Sequence, residues 1–387
     1  MSIDGASSGH ELAGIGGTDL IQRRHVLAGL TATMLWQVPL AAGTRPFDAV
    51  VGAAPQLPPT VPRFGLLDAL LQSDLAAGSA PLNVLVGPGD HVGQVVIRRP
   101  NLRLTGSGVA RTTFRAGAYA GAIAPDGKPF GTFRTAVLEV AAPGFEVRDL
   151  TILNSFDAPA EMRKPDGLKA DEGGSQQAIA LALRRGSDRA ILERCAIVSH
   201  QDTLFCEDDR SLFRECRIAG SYDFIFGGGA ARFERCEIVS RRRWEPVEGY
   251  IAAPSTMIDR PAGLVFDGCQ LTAEPGVPDG SVFLGRPWRS PAVRNGKRMN
   301  AMESVGMAAY LRCTMGRHVA PSGWTRMWYT GPDGNPRTWL EPEEARFAEY
   351  RNLGPGAKGR RRARTLTDAE VARLTRAGLF GDWRPPA

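Results

Sequence analysis

Two aspartates in unusual contexts are the residues best placed to do chemistry. Asp202 lies in His200-Gln201-Asp202-Thr203-Leu204-Phe205, and Asp223 lies in Tyr222-Asp223-Phe224-Ile225-Phe226-Gly227. Each is followed by strand-forming residues, and the two are 21 positions apart. If the chain coils with a repeat near that length, they stack on one face. Like charges a few Å apart do not both ionise easily, so one carboxyl keeps its proton while the other is an anion. That pairing supplies an acid and a nucleophile at a single pH. Gln177 precedes Gln201 by 24 positions, again near one coil, and Leu284-Gly285-Arg286-Pro287-Trp288 follows downstream.

The elements that must position these residues are short strands. Apolar runs such as 83–86, 94–97, 102–105, 137–140 and 150–153 are broken by Gly, Asp and Asn. Helices and strands do not alternate regularly, which argues against a doubly wound sheet. One element recurs: Ile191–Ile197, Leu212–Ile218, Arg232–Ile238 and Leu264–Leu271, with a looser copy at Tyr310–Met315. Its cysteines fall at Cys195, Cys216, Cys236, Cys269 and Cys313, at first 21 and 20 residues apart; the later, wider intervals require long loops. A strand recurring in one register marks a solenoid whose coils share one core. The expected fold is all-β, a right-handed single-stranded parallel β-helix with long loops. A short N-terminal capping helix is expected within Phe64–Leu75, where Leu66, Leu67, Leu70 and Leu71 have helical spacing. Metal ligation, disulfides and core packing are all open to the cysteines. The lack of a chelating pair argues against metal, and a buried ladder of free thiols is the favoured expectation. Cys206 stands off register.

With that frame, the polar residues assemble into an ester-cleaving centre. Asp223 attacks a carbonyl as the anion, and Asp202 gives its proton to the departing alkoxide and takes one from the incoming water. Gln177 and Gln201 direct amide N–H groups at the oxyanion, where one lost donor costs about 2.7–4 kcal/mol in a comparable hydrolase. Arg286 holds Asp223 charged in a forked pair, and Trp288 offers a flat face to a sugar ring.

Gln177-Ala178-Ile179-Ala180-Leu181, Gln201-Asp202-Thr203-Leu204, Asp223–Gly227 and Leu284–Trp288, in this order, resemble the pectinesterase (pectin methylesterase) family. So do Gly249–Thr256 and Glu349–Ala357, and the resemblance spans roughly 64–383. It implies a right-handed parallel β-helix that needs no metal or cofactor and removes methyl esters from polygalacturonate, releasing methanol. It implies the roles above for Asp223, Asp202, Gln177, Gln201 and Arg286. It also implies aromatic substrate contacts at Phe205, Phe226, Trp288 and Trp324. The chain departs from the family pattern at Gly89-Asp90-His91-Val92-Gly93, which lacks the usual Tyr and Glu, and at His200 and Tyr222, which flank the aspartates.

The remainder of the 387 residues bounds the setting. Arg23 and Arg24 precede an apolar run, Val26–Val38, and small residues at Ala41–Gly43. This reads as a twin-arginine export signal over 1–43, whose apolar run is too short to span a bilayer comfortably. A Pro- and Ala-rich linker is expected over 44–63 and the catalytic β-helix with its tail over 64–387. The expected product is a periplasmic or secreted monomer with no membrane attachment in its mature form. The net charge of +6 suits an acidic polymer, and no zinc-finger, P-loop or RNA-binding signature directs it to nucleic acid. The basic insert between Trp288 and Tyr310 is either a loop over that polymer or a surface excursion. Three rivals follow from the same residues: an esterase or thioesterase on another acyl group, a non-catalytic polysaccharide-binding β-helix, and a lyase. A binding module has no need of both aspartates and both glutamines. A lyase needs a calcium-binding acidic cluster, which the motifs lack.

Overall fold

A computed structural model of the chain describes residues 47–54, 56–164, 175–243, 245, 247–294, 297–335 and 337–386. The twin-arginine segment lies outside the described residues. The described chain winds as a parallel β-helix with three faces, formed by sheets of twelve, eight and seven strands. Successive coils pair in parallel on every face. On the twelve-stranded face, Ala190–Glu193 pairs with Arg210–Arg214, which pairs with Ala230–Glu234, then Leu264–Asp267, Met307–Leu311 and Arg346–Tyr350.

The corner between the twelve- and eight-stranded faces explains the cysteine register. Arg194, Glu215, Arg235 and Arg312 each take a positive φ of 50–53°, and Gly268 takes 64° at the equivalent place. The next residue is in every case the cysteine, turned inward and at most 1% exposed. All six cysteines are free and buried. The Sγ atoms of Cys236, Cys269 and Cys313 lie 3.4–3.5 Å from the carbonyls of Phe213, Phe233 and Phe266 on the preceding coil. A small side chain with a weak donor suits a tight corner that buries backbone carbonyls. Beside it runs an aromatic stack. Phe213, Phe233, Phe266 and Tyr310 follow one another at 4.6, 4.6 and 4.4 Å between ring centres.

One expectation about the ends needs correction. Segment 44–63 is not simply a linker, because Ala49–Val51 is a fully buried strand paired in parallel with Leu82–Val86. Ala49 and Val51 face the main core, while Val50 packs outward against Ala54, Leu57, Val61 and Leu85. The Pro/Ala composition concealed three consecutive apolar residues with both faces covered. The short N-terminal capping helix expected within Phe64–Leu75 is present. It runs from Leu67 to Leu71 and buries Leu67 and Leu70, whereas Leu66 is exposed. At the other end, helices Asp368–Ala372 and Arg376–Phe380 cover the outside of the twelve-stranded face, placing Val371, Leu374, Leu379 and Phe380 against Leu212, Val265 and Ala309. Among the described residues, no helix is long and apolar enough to cross a membrane.

Candidate active site

The seven-stranded face carries the predicted residues in neighbouring coils. Gln177 bridges Gln201, and Gln201 bridges Tyr222, in parallel register. Asp202 and Asp223 therefore sit one strand spacing apart, about 4.8 Å along the coil axis. Both have left-handed backbones, φ 61° at Asp202 and 48° at Asp223. Such conformations are uncommon for residues other than glycine and concentrate at functional sites. At Asp223 the strain accompanies a bulge, since the pairing of Tyr222–Gly227 with Gly249–Pro254 shifts register between Tyr222 and Ile225. A bulge inserts a residue and re-aims its side chain. Here Asp223 lines the cleft while Phe224 is fully buried. Gly227 ends the motif for a steric reason: a Cβ there would lie 1.9 Å from the Cys206 carbonyl oxygen.

Electrostatics distinguishes the two carboxyls. Arg286 grips Asp223 with a fork, Nε to Oδ1 at 2.9 Å and an Nη to Oδ2 at 2.6 Å. The guanidinium lies over the rings of Tyr250 and Tyr222, 4.0 and 4.6 Å from their centres. Burial disfavours its charge, but the Asp223 carboxylate more than compensates and raises its pKa. Asp202 has no side-chain hydrogen bond of its own among the described residues. Burial first, and then the Asp223 charge, push its pKa well above the ordinary carboxylate value, with Arg286 only partly opposing them. The site thus holds a paired carboxylate beside a carboxyl that retains its proton, and these can act as nucleophile and acid. His200, beneath them, is buried and neutral; burial and the nearby Arg241 and Arg243 push its pKa down to about 3.

Gln177, Gln201, Asp202, Asp223, Arg286 and Trp288 line one cleft of about 1100 Å³. The predicted aromatic contacts divide. Phe226 and Trp288 line the cleft and meet edge to face at 5.8 Å. Phe205 lies beneath, 5% exposed, between Phe133 and Phe226. Trp324 is corrected as a substrate contact. It is 0% exposed, stacks on Phe347 at 4.1 Å and donates its indole N–H to Glu349 at 3.1 Å. It is core, continuing the interior aromatic stack. The cleft is lined instead by Trp328 and Trp339, which the sequence reading missed. Tyr250 was also missed, although it pairs in register with Tyr222. Of the basic insert, Pro291–Arg294 and Lys297–Asn300 form an antiparallel hairpin, and Pro291, Met299 and Asn300 reach the cleft. The basic run Arg241–Arg243 is engaged with acids: Arg241 bonds Glu274 at 3.0 Å and Arg242 pairs with Glu248.

A pectinesterase family model matches residues 84–377. The chain is 37% identical over 315 residues to pectinesterase A of Dickeya dadantii, covering 80% of this chain and 85% of that protein. Among solved structures, it superposes on a pectin methylesterase from Erwinia chrysanthemi with TM-score 0.81 at 34% identity, covering 89% and 99% of the two chains. A pectin methylesterase from Yersinia enterocolitica gives 0.78 at 34% identity, covering 83% and 100%.

Proposed function

The chain belongs to the pectinesterase family, and from that premise we propose that it hydrolyses the methyl esters of polygalacturonate, with Asp223 as nucleophile and Asp202 as acid and base. The observation that carries the assignment is the Arg286 fork on Asp223 beside a buried Asp202 whose pKa is raised. An Asp223 oxygen adds to the ester carbonyl carbon. The negative charge moves to the carbonyl oxygen, where the Gln177 and Gln201 amides face it. Collapse breaks the bond to the methoxy oxygen, which takes the Asp202 proton and leaves as methanol. A galacturonyl–Asp223 anhydride remains. Asp202, now a carboxylate, removes a proton from water as its oxygen attacks the galacturonyl carbonyl, and both aspartates return to their starting states. Trp288 and Phe226 supply the apolar wall against which a ring packs.

The same chemistry would serve another oxygen ester or a thioester. The cationic and aromatic lining of the cleft favours an anionic sugar polymer. Export through the paired arginines Arg23 and Arg24 belongs to this proposal and agrees with a substrate outside the cell. Purified protein assayed for methanol release on highly methylated pectin, beside a panel of acyl thioesters, tests the reading. Methanol release without thioester turnover is expected, and thioester turnover without methanol release would overturn it.

A further inference from the structure

We propose that Tyr222 and Arg243 are positioning residues, a brace that holds the Arg286 guanidinium in the plane of its fork on Asp223. The kinetic consequence of the brace rests on the proposed function; the contacts that build it do not.

A fork serves only while guanidinium and carboxylate stay coplanar. The arginine stem is long and flexible, so the head needs support of its own. The strand Tyr222–Gly227 provides it. Neighbouring residues of a regular strand face opposite sides. The bulge at Asp223 breaks that alternation, and Tyr222 and Asp223 both line the cleft. The Tyr222 ring is thereby set beside the ion pair that its neighbour makes. Its centre lies 4.6 Å from the guanidinium carbon of Arg286, and the centre of the Tyr250 ring lies 4.0 Å from it. The two rings are inclined at 79°. Rings so inclined cannot both lie parallel to one guanidinium, so they restrain it in two directions.

A second guanidinium restrains the ring. The Arg243 guanidinium carbon lies 4.2 Å from the centre of Tyr222, and Arg243 is 5% exposed. Cation–ring attraction is stronger where water is excluded. Arg243 is itself fixed: its backbone N–H donates to the Glu248 carboxylate, which is buried and also pairs with Arg242. The Glu248 N–H donates in turn to the Ser281 carbonyl at 3.0 Å. The backbone of Tyr222 is pinned too. It bridges Gln201 on one side and pairs with Tyr250 on the other, and its carbonyl accepts the Asp202 N–H at 3.1 Å. Support thus runs from Glu248 through Arg243 and Tyr222 to Arg286 and Asp223. An aliphatic residue at 222 would fill the strand but offer no face to either guanidinium. Position 222 is also where the chain departs from the family pattern, so the brace is this chain's own addition to the site.

The test joins methanol-release kinetics on highly methylated pectin to NMR of protein labelled with ¹⁵N-arginine. Tyr222→Val should lower kcat about tenfold while KM stays within about twofold of wild type. Tyr222→Phe keeps the ring and should stay within about threefold in kcat, and Arg243→Ala should fall between the two. Added to Arg286→Lys, Tyr222→Val should cost less than about twofold more, because no fork remains to be held. The Arg286 Nε–H resonance, assigned by its loss in Arg286→Lys, should be sharp in wild type and Tyr222→Phe and broadened in Tyr222→Val and Arg243→Ala. Circular dichroism confirms folding, and Arg243→Ala carries the test should Tyr222→Val fail to fold. A kcat matching wild type in either variant, a penalty confined to KM, or a full extra loss in the Arg286→Lys background would overturn the brace. No methanol release from wild type, with the resonance still broadened in the variants, would uphold the brace and remove the hydrolase reading.

Discussion

Replacing Asp202 by Asn tests its protonated state through stability as well as activity. The amide keeps the shape of a protonated carboxyl but cannot titrate. An unfolded aspartate loses its proton near pH 3.9. In the folded chain, burial and the Asp223 charge place that loss well higher. Between these points the native state binds a proton that the unfolded state lacks. Wild-type stability should therefore fall as pH rises through this window, by about 1.4 kcal/mol per pH unit. Asp202→Asn removes this slope, so its stability relative to wild type should climb with pH from about 4 until the folded carboxyl has titrated. Urea unfolding of both proteins at half-unit steps between pH 4 and 7 isolates the difference, because all other groups are shared. The same variant should lose about 10²–10⁴-fold in kcat, as the alkoxide then departs without a proton donor. Parallel stability curves would refute the raised pKa. Near-wild-type turnover would refute the acid role.

Three further outcomes are expected. Arg286→Lys keeps a charge but loses the fork and the planar contact with Tyr222 and Tyr250, so kcat should fall about 10²-fold with little change in far-UV circular dichroism. Trp324→Ala should cost about 3–5 kcal/mol in urea unfolding, because it removes a fully buried ring from the core; a loss under 1 kcal/mol would contradict its place there. Burial opposes ionisation of Glu234, but Arg376 and Arg232 outweigh it and pull its pKa down to about 2. Its contribution is present above the unfolded value near 4.3 and lost as pH falls towards 2. Arg376→Ala should accordingly flatten the decline in unfolding midpoint between pH 5 and 2.5.

The coil was legible because one corner repeats under tight constraint. A left-handed residue followed by an inward cysteine recurs at five successive coils, and that regularity survives in the sequence as Cys at repeated offsets. The catalytic candidates were legible for a related reason. They break an apolar pattern at coil-matched spacing, and the structure brings Gln177, Gln201, Asp202, Asp223 and Arg286 into one cleft. What stayed hidden depends on register that spacing alone does not provide. Trp324 and Trp328 are four residues apart and would share a face in one continuous strand, but Trp324 bridges Gly285 and faces the core, whereas Trp328 belongs to the separate pair Met327–Tyr329 and Thr338–Leu340 and lines the cleft. Ala49–Val51 was hidden because a strand buried on both faces shows no alternation. The C-terminal helices were hidden because each is only five residues long, too short to display helical periodicity.

The central claim, that Asp223 is the nucleophile, is tested most directly by methanol release from highly methylated pectin by purified Asp223→Ala beside wild type, with matching circular dichroism to confirm the fold. The account predicts a fall in kcat of at least about 10³-fold. Turnover within tenfold of wild type would contradict it.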